Sequence, residues 1–172
     1  QYVKEMKFIP GGRYLYYAGR PNHFYNNCFL LRGEEDTREE WGALLHRASD
    51  CLMTGGGIGV DYSRFRASGK PLSRTGGISS GPLPLANAIN EIGRSVMQGG
   101  SRRSAIYASL NWLHEDIPLF LVAKNWSDDV KFMKEKDFNF PAMLDMTNIS
   151  INYDNKWKYN SDTANLHTFV EN

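Results

Sequence analysis

The sequence predicts an α/β fold, a largely parallel sheet or barrel assembled from βαβ units. Two observations carry that expectation. Short apolar runs of strand length recur near residues 28–31, 55–62, 104–110 and 148–153, and stretches with apolar residues at helical spacing separate them. The side chains are also those of an ordinary packed domain: 41% hydrophobic, 13% aromatic and 23% charged over 172 residues, enough chain for a sizeable core.

Residues 1–26 are rich in Gly, Tyr and Arg, and Pro10-Gly11-Gly12 and Arg20-Pro21-Asn22 are turn signals, so this stretch reads as irregular. Cys28-Phe29-Leu30-Leu31 is a continuous apolar run and predicts a strand buried on both faces. Thr37 and Glu40 have the spacing of a capping box, and Trp41, Leu44, Leu45, Ala48 and Leu52 then recur with helical period. This helix runs into Gly55-Gly56-Gly57-Ile58-Gly59, where the glycines give way to a second buried strand. Residues 64–81, dense in Gly, Ser, Arg and Lys, form a long loop. Leu85, Ile89, Ile92 and Val96 mark a second helix with Pro82 near its start and Gly99-Gly100 at its end. A strand over 104–110, a short helix at Ile117, Phe120 and Leu121, a solvated turn at Asp128-Asp129 and a strand over 148–153 complete the order. The chain begins with Gln1, and its last stretch, from Asp162 through Phe169, reads as a helix that stops partway. One partial domain over 1–172, truncated at both ends, is the expectation.

Lys and Arg number 20 against 19 Asp and Glu. No overall field would draw such a chain to nucleic acid, and any anion must be held by local geometry. No apolar run approaches the roughly 20 residues of a membrane span. Cys28 and Cys51 are too few for a secreted disulfide framework, no signal peptide precedes them, and a reducing cytoplasm is the expected compartment.

Three segments invite chemistry. Gly55 to Gly59 would let backbone N–H groups approach an anion, but it satisfies neither G-x-G-x-x-G nor G-x-x-x-x-G-K-[ST], and a tight turn is an equal reading. Gln98-Gly99-Gly100-Ser101-Arg102-Arg103-Ser104 sets two guanidinium groups directly after a helix, which suits a phosphate or a base plane, although composition alone favours a solvated basic loop. Arg64, Arg66, Lys70 and Arg74 line the long loop, a candidate anion site. An isolated cysteine is by default a small core hydrophobe. No metal site is expected, because there is no C-x-x-C pair and the four histidines are scattered.

Taken together these segments resemble the large chain of ribonucleotide reductase, in particular its adenosylcobalamin-dependent (class II) kind. The likeness runs through Pro10-Gly11-Gly12-Arg13, Asn26-Asn27-Cys28, Gly55 to Gly59, Thr75-Gly76-Gly77 and Ser79-Ser80-Gly81-Pro82. It continues through Gln98 to Ala105, Asp137-Phe138-Asn139-Phe140-Pro141 and Asp145-Met146-Thr147-Asn148, in the family's order. The resemblance implies the first half of a ten-stranded α/β barrel and a role in converting ribonucleotides to deoxyribonucleotides by thiyl-radical chemistry. It implies that Cys28 is one of two redox cysteines, that Asn27 and Gly57 touch the substrate, and that Gln98 and Arg102 read its base. It also implies that Asp36 and Arg66 bind a dNTP effector, with thioredoxin or a similar dithiol protein as reductant and a homodimer as the complete assembly. The family's Asn-x-Cys-x-Glu motif and second redox cysteine are not in this chain, so the fragment alone is expected to be inert. Two other readings stay open: a class I large chain served by a separate radical-generating subunit, and a nucleotide-binding module without catalysis.

Overall fold

The computed structural model describes residues 1–96 and 104–153. Four strands, β1 (Cys28–Arg32), β2 (Gly57–Asp61), β3 (Ile106–Asn111) and β4 (Thr147–Asn152), lie side by side in chain order, every neighbouring pair parallel. A short helix, α1 (Gly12–Tyr17), precedes β1; α2 (Arg38–Met53) joins β1 to β2, and α3 (Leu83–Ser95) joins β2 to β3. The β3–β4 connection contains α4 (Ile117–Val122) and α5 (Asp128–Lys136). This is the βαβ order that the alternation of periods predicts.

The core lies on one face of the sheet. Ile58, Val60, Ile106, Ala108 and Leu110 point to that face and pack with Leu44, Ala48 and Leu52 of α2 and Leu85 and Ile89 of α3, all buried. Each fully buried Leu or Ile of this set contributes about 2 kcal/mol of hydrophobic stabilisation. Because side chains alternate along a strand, Cys28, Leu30, Gly57, Gly59, Tyr107 and Asn148 share the opposite face. Among the described residues no helix covers that face: Leu30 is 84% exposed and Tyr107 43%.

Both ends of α2 are determined locally. Thr37 Oγ accepts from Glu40 N at 3.1 Å, one half of the capping box, while the Glu40 carboxylate reaches back to Glu34 N at 3.0 Å and pairs with Arg47 at 2.6 Å. At the other end Gly55 takes φ +81°, with Gly55 N donating to Leu52 O and Gly56 N to Cys51 O. That is the Schellman termination, open to glycine because a Cβ disfavours the left-handed conformation.

Four expectations need correction. Residues 12–17 form α1 rather than irregular chain. β1 is covered on one face only: Phe29 and Leu31 pack partly buried against the core, while Cys28 and Leu30 lie on the side that no described helix covers. α3 ends at Ser95, before the two glycines expected to stop it. Asp128 and Asp129 open α5, whose first turn Ser127 caps through Val130 N, rather than sitting in a turn; acidic side chains there oppose the positive end of the helix dipole. The expected helix near 162–172 lies outside the described residues, and so do Gln98 and Arg102.

Candidate functional site

Two concave regions are built at opposite ends of the strands. The first is a trough of about 460 Å³ on the uncovered sheet face, lined by Cys28, Leu30, Gly57, Gly59, Ala105, Tyr107 and Asn148 among others. Its width comes from glycine. A Cβ on Gly57 would lie 3.3 Å from Ala105 O and 3.5 Å from Cys28 Sγ, so any side chain there would fill the space beside the thiol. Gly59, one rung along, faces Leu30 and Tyr107 at ordinary contact distance. The first rung of the β1–β2 ladder, Gly57 N to Asn27 O at 2.8 Å, fixes Asn27, Cys28 and Gly57 relative to one another.

Cys28 is exposed and unpaired, so it is not the core filler that a lone cysteine suggests by default. Cys51 matches that default, packing partly buried against the core, and burial pushes its thiol pKa up. The glycine cluster therefore divides by role. Gly55 and Gly56 end a helix, and Gly57 and Gly59 open a floor.

The second region is a cavity of about 550 Å³ beyond the C-terminal ends of β1 and β2, between the start of α2 and residues 65–81. Asp36 and Arg66, thirty residues apart in the chain, meet here with Arg66 Nε 2.6 Å from Asp36 Oδ2, and a second Arg66 nitrogen donates to Pro71 O at 3.0 Å. The loop is more ordered than its composition suggests. Gly69 N donates to Ser79 O and Ser79 N to Lys70 O, a narrow antiparallel ladder turned by Gly76 and Gly77 at positive φ. Buried Asp116 ties its base by accepting from Ser68 N and Ser68 Oγ, and the His114 ring meets Phe65 O at 2.7 Å. Of the other loop cations, Lys70 pairs with Glu115 and Arg74 with Glu39 at the surface, and Arg64 is exposed.

A third cluster escaped sequence reading. The Asp145 carboxylate, 1% exposed, accepts from Asn90 and pairs with Arg94 and Lys134. Burial pushes its pKa up, but the bonds from Arg94, Asn90 and Lys134 outweigh this and hold it at about 2. The Asn90 side-chain oxygen accepts from Met146 N and Thr147 Oγ, so the last turns of α3 and α5 are fastened to the start of β4. In sequence these are scattered polar residues; only Asn90 on the apolar side of its helix hinted at them. Among the described residues no group of three or more His, Cys, Asp or Glu could hold a metal ion, and no helix is long and apolar enough to cross a membrane.

Among the described residues the chain forms a parallel α/β sheet covered by helices on one face, with a thiol and strand glycines on the other. Residues 26–161 match the family model described as "Ribonucleotide reductase, barrel domain", and the chain belongs to that family. It is 36% identical over 129 residues, 74% of its length, to the ribonucleoside-diphosphate reductase large subunit of monkeypox virus. It is 32% identical over 122 residues, 71% of its length, to a vitamin B12-dependent ribonucleoside-diphosphate reductase of Mycobacterium tuberculosis. A third relative is the ribonucleoside-diphosphate reductase large chain of Schizosaccharomyces pombe, 27% identical over 146 residues, 84% of this chain. The matched regions span 17%, 17% and 18% of those three proteins.

Proposed function

We propose that this chain is the first half of the ten-stranded barrel of a ribonucleotide reductase, and that the trough at Cys28 receives the ribose of a ribonucleotide. The observation that carries the reading is an accessible thiol beside a strand glycine whose missing side chain leaves room for a ligand against the backbone. The names of the relatives favour a ribonucleoside diphosphate as substrate.

The proposed overall step balances on two thiols. The C2′–O bond breaks and the oxygen leaves as water, a C2′–H bond forms, and Cys28 and a second cysteine outside this chain give up two electrons and join as a disulfide. Thioredoxin or a similar dithiol protein then returns the pair to thiols by exchange. Asn27 supplies a polar contact beside the ribose, and Gln98 and Arg102 read the base. A cysteine in an Asn-x-Cys-x-Glu motif elsewhere in the complete protein carries the initiating radical, so this chain alone has no turnover. In the class II reading adenosylcobalamin would supply that radical when bound to the complete protein. The trough's part is to position the ribose and exclude water.

Asp36 and Arg66 are proposed to hold a dNTP effector, Arg66 facing its phosphates and Asp36 a hydroxyl. This cavity is lined by the start of α2, by residues 65–81 and by Pro84 at the start of α3. The complete protein is proposed to act as a homodimer, the assembly that the family resemblance implies.

The test is turnover of the full-length protein on ribonucleoside diphosphates. Wild type forms deoxynucleotides; Cys28→Ser lowers turnover by roughly a thousandfold or more, as expected for loss of a reacting group. Turnover that requires adenosylcobalamin supports class II; turnover with a separate small subunit and no cobalamin supports the large-chain reading, which the viral relative favours. Effector binding with an undiminished Cys28→Ser variant would contradict the redox role.

A further inference from the structure

Pro10-Gly11-Gly12-Arg13 is conspicuous in the sequence, yet none of the roles above uses it. In the structure Arg13 lies on α1 and its guanidinium serves three backbone carbonyls in two separate segments. It donates to Phe24 O at 3.0 Å, to Thr54 O at 3.1 Å and to Gly55 O. Phe24 lies four residues before Cys28, and Gly55 two residues before Gly57. Thr54 and Gly55 end α2, where the helix dipole is negative, so a fixed cation is favoured there. Elsewhere on α1, Tyr14 stacks on Tyr25 at 4.6 Å and Tyr17 meets Phe24 edge-on, both in the first segment.

We propose that Arg13 is a positioning residue for the trough, clamping the lead-in to β1 against the turn into β2 so that the Cys28 thiol and the Gly57 backbone keep the spacing a ribose requires. The inference rests on the proposed substrate role of the trough. A guanidinium is needed because its fork reaches both segments at once while keeping its charge; an ammonium on a single point cannot. The three carbonyls are at most part-buried, so losing the clamp exposes them to water rather than stranding them, and the fold survives.

The experiment is peptide-resolved alkylation of Cys28 by iodoacetamide in the full-length protein, with increasing cytidine diphosphate or triphosphate in the presence of dATP. In wild type the nucleotide slows alkylation. In Arg13→Ala and Arg13→Lys the half-protecting concentration rises by roughly tenfold or more, as expected when contact atoms are misplaced by a fraction of an ångström. Thermal midpoint and dATP binding stay at wild-type values, and the Lys variant does not rescue. Unchanged protection in Arg13→Ala, rescue by Lys, or a parallel loss of thermal midpoint and dATP binding would each overturn the clamp. Absence of protection by either nucleotide in wild type would instead overturn the substrate reading beneath it, and the clamp with it.

Discussion

At the scale of single residues, the trough depends on what is missing at position 57. The Gly57 backbone lies at negative φ, so alanine is allowed by conformation and opposed only by space: its Cβ would press on Ala105 O and stand 3.5 Å from the thiol. Gly57→Ala should therefore fold, at a cost of about 1–2 kcal/mol from overpacking, while KM for the nucleotide rises by roughly tenfold or more. Gly42→Ala on the exposed side of α2 is the control, since its Cβ would meet nothing within 4 Å and lies outside the trough. Equal effects of the two substitutions on KM would remove the special role of Gly57. Sequence alone left the glycine cluster undecided between a turn and a ligand floor. The turn is present at Gly55 and Gly56 and a strand begins at Gly57, and what separates them is the end of α2, a boundary that periodicity does not place to the residue.

Among the elements, the helices and strands that own a clear apolar period were legible: Leu44, Ala48 and Leu52 on α2, and Leu85 and Ile89 on α3, are all buried as their spacing predicts. β1 was half legible. A run of four apolar residues cannot say whether one face or two are covered, because coverage is decided by chain elsewhere. The Asp145 cluster was not legible, since ion pairs across 51 and 11 residues leave no local pattern. It is nonetheless what fastens α3, α5 and β4. Asp145→Asn should cost about 2 kcal/mol by leaving Lys134, 12% exposed, without its carboxylate, while Arg94 keeps its pair with Glu91. The pH dependence has a definite sign. A carboxyl held at about 2 against an ordinary 3.8 adds stability above about pH 4 and loses it as pH falls from there towards 2. Denaturant midpoints of wild type and Asp145→Asn should therefore converge in that window; a constant difference down to pH 2 would count against the ion pair as the cause.

At the scale of the whole molecule, the described residues make a one-sided sheet. Core packing covers one face, and the other carries an accessible cysteine, a glycine floor and exposed Leu30 and Tyr107. A barrel interior is the arrangement in which such a face becomes useful, because further strands would close over it and shield the thiol from water. The two concave regions sit at opposite ends of the strands, the trough beside Cys28 and Gly57 and the cavity beside Asp36 and Arg66. The central claim is that Cys28 supplies one of the two electrons that reduce the nucleotide. It is tested most directly by mixing the pre-reduced full-length protein, complete with its radical source, with a ribonucleoside diphosphate and no external reductant. The mixture is quenched after one turnover and the cysteine pairs are mapped by mass spectrometry. The account predicts one disulfide joining Cys28 to a cysteine outside this chain for each deoxynucleotide formed; product formed while Cys28 remains a free thiol would contradict it.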